Sequence, residues 1–300
     1  MQLANTNMRK IFVFFLLLGL IKPVISQNPK DYSNAIFLQK LNKDTSYLKL
    51  KKRIISKFAF ANPGQWGEFV NGVVEKSYIK NKYIAFTFDG CGGKNGNDYD
   101  KELMDYLQYE KVPATLFVSG KWIDANFTTF LNLSKDTLFE IENHGLNHKP
   151  CSIDGKSEYG ITGTSGIEEA FDEIEANARK IEAITKHKPL FYRSATAFID
   201  EVCVRMAGEL GITVVSFQVL AGDAVAYAPY SVIEENVLKE IKPGAIVLMH
   251  FNHPEWNTFE AMQKIVPKLR QMGYSFKRLN DFEITSYKVI ERQKEIKKIP

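Results

Sequence analysis

The feature that most restricts the fold is an alternation that begins near Tyr83 and runs almost to the end of the chain. Short β-rich runs stand at 83–88 (YIAFTF), 114–119 (ATLFVS), 138–143 (LFEIEN), 190–193 (LFYR), 213–218 (TVVSFQ), 245–250 (AIVLMH) and 274–279 (YSFKRL). Helical patterns separate most of them. The clearest covers 166–185, where Ile167, Phe171, Ile174, Ala178, Ile181 and Ile184 recur at helical spacing behind a capping box of Ser165 and Glu168. Strands that alternate with helices pair in parallel and carry the helices outside. Seven such strands predict a distorted seven-stranded (β/α) barrel, closed or left incomplete. In that architecture the site lies at the C-terminal strand ends.

That rule selects five residues at or just past strand ends: Asp89, His144, Arg193, Asp223 and His250. All are polar and of catalytic type, and His250 ends an apolar strand, where a polar residue needs a reason. Asp89 suits a general base, and Arg193 can offer it a paired hydrogen bond. His250 suits a general acid that Asp223 orients. In NHGLNH (143–148), His144 and His148 are four apart, so a helical turn would aim both imidazoles at one metal. The plainer alternatives are a buried ion pair and two histidines packed under a loop; the full set of five weighs against them.

In this order, FTFDG, HGLNH, YRSATAF and IVLMH resemble the ordered motifs of the polysaccharide deacetylases, the NodB-like domain of carbohydrate esterase family four. The resemblance covers roughly 83–279. It implies a distorted (β/α) barrel, a divalent metal such as zinc, and hydrolytic removal of N-acetyl groups from a glycan, an N-acetylglucosamine polymer or peptidoglycan. It assigns Asp89 as the base, His144 and His148 as metal ligands, Arg193 as the partner of the base, and Asp223 as the residue that tunes His250. Two positions depart from the pattern. The family's second aspartate, a metal ligand, is replaced by Gly90, and Ala195 and Thr196 stand where a proline and an aromatic follow the arginine. Candidates to complete the metal shell are water, Asp89, Cys91, and Asp98 or Asp100; the last two are better suited to cap the following helix. Water and Asp89 rank above Cys91, because Cys91 and Cys151 can pair as a disulfide. The competing functions are an inactive glycan-binding module on the same fold and hydrolysis of another non-peptide amide.

The long loop at 151–165 leaves the histidine motif on the site face, and Tyr159 within it, with Trp256, is a candidate floor for a sugar ring. The rest of the chain divides into a signal peptide (1–26), an N-terminal extension (27–80) anchored by Trp66, the catalytic domain (81–284) and a charged tail (285–300). The signal peptide rests on a basic start at 8–10 and an apolar run at 11–21, too short to span a bilayer. It predicts export, periplasmic or secreted, with no membrane span in the mature chain. A net charge of +4 without a concentrated basic face argues against nucleic acid as a partner.

Overall fold

The computed structural model describes residues 28–282 and 284. The segments read as signal peptide and charged tail lie outside the described residues, apart from Asn28 onward. Ten strands follow in chain order: β1 (Trp66–Gly67), β2 (Tyr83–Gly90), β3 (Ala114–Val118), β4 (Phe139–Asn143), β5 (Phe191–Tyr192), β6 (Ile199–Asp200), β7 (Thr213–Val214), β8 (Val219–Leu220), β9 (Ile246–His250) and β10 (Ser275–Phe276). Seven of them form one parallel row in the order β7-β5-β4-β3-β2-β9-β8, curled into a half-barrel. The expected incomplete (β/α) barrel is therefore the fold.

Hydrophobicity explains why β2 lies at the centre of the row. Ile84 through Gly90 are all buried, as a strand covered on both faces requires. Phe86, Phe88, Leu116, Val118, Val247 and Met249 point to the helix side and share one core with Leu103, Leu107, Trp122, Ile265 and Leu269. The opposite side carries Ala85, Phe117, Ile246 and Val215. Because strand side chains alternate, this register leaves the polar residues at the last positions. Asp89 lies opposite both Phe117 of β3 and His250 of β9.

Two strand boundaries differ from expectation. The run 213–218 is not one strand. It pairs as β7 beside β5, then crosses the open side of the half-barrel, and β8 begins beside β9 at the other edge. The crossing is held at both ends, by Val215 N–H to the Tyr192 carbonyl and Gln218 N–H to the Ile246 carbonyl, 2.9 Å each. The last expected strand shrinks to β10, which pairs only with Tyr83 and Ile84 at the start of β2.

The extension contains two helices that its polar composition hid, Asn34–Leu41 and Thr45–Phe58. Asp44 caps the second by accepting the N–H groups of Ser46 and Tyr47. Its buried stripe of Tyr47, Ile54 and Phe58 packs on Phe171 and the helix Glu201–Glu209. Farther on, Val74 donates to Val214 and accepts from Ser216, while Ser77 N–H reaches the Gly244 carbonyl. The extension thus bridges the two edges of the row. Trp66 tilts its ring on Phe198 as β1 pairs with β6. Among the described residues no helix is long and apolar enough to cross a membrane.

Candidate active site

The mouth of the sheet gathers the five selected residues. Asp89, at the end of β2, is buried, and its Oδ1 accepts from Arg193 Nη1 at 2.7 Å. Arg193, fully buried just after β5, also donates Nη2 to Thr87 Oγ1 and to the Ser216 carbonyl, 2.9 Å each, and lies over the Phe117 ring at 4.2 Å. Both terminal nitrogens of the guanidinium are engaged while its buried Nε has no hydrogen-bond partner, and these bonds position the carboxylate it holds.

Across the strand register, His250 places Nδ1 at 3.2 Å from Asp223 Oδ1. Asp223 is itself fixed, because its Oδ2 accepts from the His250 backbone N–H at 2.7 Å and from Thr258 Oγ1 at 3.2 Å. A carboxylate only accepts, so His250 donates from Nδ1 and turns Nε2 to the site. Burial alone would depress the His250 pKa, but the Asp223 charge outweighs it and holds the imidazole well above its ordinary value.

His144 and His148 do come together, with ring centroids 4.8 Å apart, but not on a helical turn. The chain leaves β4 through Gly145 at φ +83° and returns through His148 at φ +53°. His144 Nδ1 lies 2.8 Å from the Arg193 carbonyl and must donate to it, which leaves Nε2 with a free lone pair. That Nε2 faces Asp89 Oδ2 at 3.6 Å and Cys91 Sγ at 3.9 Å. The donor atoms of Cys91, His144 and His148 all lie within 4.8 Å of one another. His148 Nε2 is buried with no hydrogen-bond partner. An orphaned lone pair beside a second imidazole and a thiol fits a divalent metal.

Cys91 does not pair with Cys151. All three cysteines are free, and Cys151 lies beside Cys203 in the core behind the site. Burial raises the Cys91 thiol pKa, yet the His148 charge and the surrounding imidazoles outweigh burial and hold it well below the ordinary thiol value. The disulfide that placed Cys91 below water and Asp89 as a ligand is therefore absent. Asp89 turns Oδ1 to Arg193 and Oδ2 to His144, and the thiol faces the histidines. Asp100 caps the helix Lys101–Tyr109 through Leu103 N–H, as expected, and Asp98 is exposed.

Glu173, which the sequence reading passed over, supports the histidine loop. The helix expected over 166–185 is interrupted by a π-helical turn, Asp172–Ala176. Its cap also differs, since Ser165 hydrogen-bonds to Glu169 rather than Glu168. In the widened turn the Ile174 carbonyl accepts Asn143 Nδ2 at 2.8 Å as well as the Asn177 N–H, and Glu173 is buried beneath the loop. Glu173 accepts the backbone N–H groups of Asn147 and Lys149, which flank His148. A side chain at position 145 would collide with the Glu173 carboxylate, so the loop needs Gly145.

Of the two residues chosen as a sugar floor, Trp256 lies at the site. Its ring meets His250 edge to face at 5.4 Å and stacks on His253 at 3.7 Å. Tyr159 is exposed and packs edge-on against Phe198. The segment after Arg193 forms a tight turn, with Thr196 and Ala197 both at left-handed φ, 62° and 61°. Such backbone in non-glycine residues, one of them β-branched, concentrates at functional sites.

Residues 76–215 match the family model described as polysaccharide deacetylase. The peptidoglycan-N-acetylglucosamine deacetylase of Bacillus cereus is 30% identical over 200 residues, 65% of this chain and 85% of that protein. The uncharacterized protein YlxY of Bacillus subtilis is 29% identical over 180 residues, 60% of this chain; the chain spans about half of YlxY, 51% of its length. Among solved structures, BA3943 of Bacillus anthracis, described as a CE4 family pseudoenzyme, matches with a TM-score of 0.59 over 71% of this chain and 69% of that one. At 24% identity that likeness is one of fold.

Proposed function

The chain belongs to the polysaccharide deacetylase family, and from that premise we propose that it hydrolyses the N-acetyl amide of amino sugars in a glycan, an N-acetylglucosamine polymer or peptidoglycan. The observation that carries this reading is the pair of oriented proton carriers in register on adjacent strands beside the histidine cluster: Asp89 held by Arg193, and His250 held by Asp223. A module that only bound sugar would have no use for a base and an acid in register across one sheet.

His144 and His148 are the residues that would hold the metal. When bound, a divalent ion polarises the acetyl carbonyl and acidifies the attacking water. Asp89 receives the proton of that water through the oxygen not engaged by Arg193. His250 gives a proton from Nε2 to the departing amine nitrogen, and Asp223 stabilises the imidazolium before the transfer. Trp256 bounds the space beside His250 and suits the apolar face of a sugar ring. Export of the chain belongs to the same proposal, since such glycans lie outside the cytoplasm.

Acetate release from N-acetylglucosamine oligomers and from peptidoglycan tests the reading. Asp89→Asn should lower kcat by about 10²–10⁴-fold, and His144→Ala should abolish both activity and metal binding. Undiminished activity in His144→Ala would sink the metal assignment. Activity confined to small non-sugar amides would move the chain to another amide substrate.

A further inference from the structure

We propose that the Cys91 thiolate is the third protein ligand of the metal, in place of the family's missing carboxylate, so that the site is a two-histidine, one-thiolate centre. The proposal rests on the reading that His144 and His148 hold a metal, and deepens it.

Three observations carry it. The first is that position 90 has no space for a ligand. A Cβ there would stand 2.8 Å from Phe251 Cζ and 3.4 Å from Trp122, both packed into the helix-side core. The second is strand geometry. Residues two apart share a face, so Asp89 and Cys91 project to the same side of the chain, while position 90 points into the core. The third is the convergence of lone pairs. His144 Nε2 is freed by the Arg193 carbonyl, His148 Nε2 is an orphan, and the Cys91 sulfur lies 3.9 Å from His144 Nε2. A sulfur at about 2.3 Å and a nitrogen at about 2.0 Å from one tetrahedral zinc stand roughly 3.5 Å apart, so a small adjustment closes the shell. Asp89 Oδ2 also faces His144 Nε2, at 3.6 Å, but the group whose donor atoms all lie within 4.8 Å of one another consists of Cys91, His144 and His148.

A thiolate changes which metal the site selects. Oxygen-rich sites suit magnesium, calcium and manganese, whereas one sulfur beside two imidazoles favours zinc or cobalt.

Cobalt(II) titration of chelator-stripped protein is the test, with wild type, Cys91→Ser, Cys91→Asp and His144→Ala followed by absorption and by equilibrium dialysis. Wild type should take up one cobalt with a strong near-ultraviolet thiolate-to-cobalt charge-transfer band. Bound metal should also shield Cys91 from iodoacetamide, while Cys151 and Cys203 are buried with or without it. Cys91→Ser should lose the band and bind more than about tenfold more weakly, since even outer partners of metal ligands are worth 10–100-fold. Cys91→Asp should recover affinity without the band. Equal affinity and an identical spectrum in wild type and Cys91→Ser would overturn the thiolate assignment and leave the two-histidine metal reading standing. No cobalt uptake by folded wild type would overturn both. Hydrolysis by metal-free protein that iodoacetamide abolishes would make Cys91 a nucleophile and overturn its role as ligand.

Discussion

At the scale of residues, three consecutive positions, Asp89, Gly90 and Cys91, divide the chemistry of the site. Asp89 faces Arg193 and the site, Gly90 turns inward against Phe251, and Cys91 faces the histidines. Gly90→Asp is the obvious attempt to rebuild the family pattern, and it should fail. The new side chain would have to displace Phe251 from its edge-to-face contact with Trp122 at 4.8 Å. Overpacking of this kind costs about 1–3 kcal/mol. A urea-unfolding midpoint lowered accordingly, with no gain in metal affinity, is the expected result; a variant of unchanged stability and tighter metal binding would contradict it. Asp89, His144, Arg193, Asp223 and His250 were legible in the sequence because each stands at or just past a strand end. Cys91 stood among the candidate ligands but below water and Asp89, because the segment read as a glycine turn and a disulfide with Cys151 competed for the thiol. The alternation of side chains along an extended strand was the signal that could have found it.

At the scale of elements, the loop that carries His148 has no regular structure and borrows its shape from the π-turn below it. The apolar spacing from Ile167 to Ile184 reads as continuous helix, because one inserted residue slips the phase too little to break the pattern. Nothing in that pattern marks Glu173, Glu175, Asn177 and Lys180 as the buried polar side chains they are. Removing the acceptors of Glu173 with Glu173→Ala leaves the part-buried Asn147 and Lys149 N–H groups without their partner, at about 1 kcal/mol each. Metal affinity should fall about 10–100-fold, the usual effect of losing a group that orients a ligand. Glu173→Gln retains an acceptor and should recover most of it in the same dialysis measurement; equal affinity in wild type and Glu173→Ala would show that the loop holds itself.

Burial pushes Glu173 up to about 7 from an ordinary 4.5, against the two N–H donors. The folded state therefore keeps a proton that the unfolded chain loses between those pH values, and stability contributed by the protonated form is lost as pH rises through that window. Asp100, raised by burial to about 6, acts in the same direction. Metal-free protein should have a higher unfolding midpoint at pH 5 than at pH 8, and Glu173→Gln should reduce the difference. A midpoint that rises with pH would contradict this account of the buried carboxyls.

At the scale of the whole molecule, the parallel row was legible because strand and helix periods alternate over nearly two hundred residues and leave few topologies open. The extension was less so. Its helices carry Lys and Asn on exposed faces, and their few buried residues acquire meaning only against Phe171 and the neighbouring helix. Its passage between the two sheet edges depends on contacts distant in sequence, such as Val74 with Val214 and Ser216. A buried Lys180 secures the same region, bonding to Asn34 Oδ1 at 2.7 Å and to Asp124. This frame brings strand ends from across the sequence to one mouth, where Asp89, His250, His144, His148 and Cys91 meet.

The central claim is that this mouth is a working metal-dependent deacetylase despite the glycine at position 90. Stripping the protein with chelator and titrating zinc back, while measuring acetate released from N-acetylglucosamine oligomers and peptidoglycan, tests it most directly. The account predicts no release from the stripped protein and recovery that saturates at one zinc per chain. Stoichiometric zinc binding with no acetate released from either substrate would contradict it.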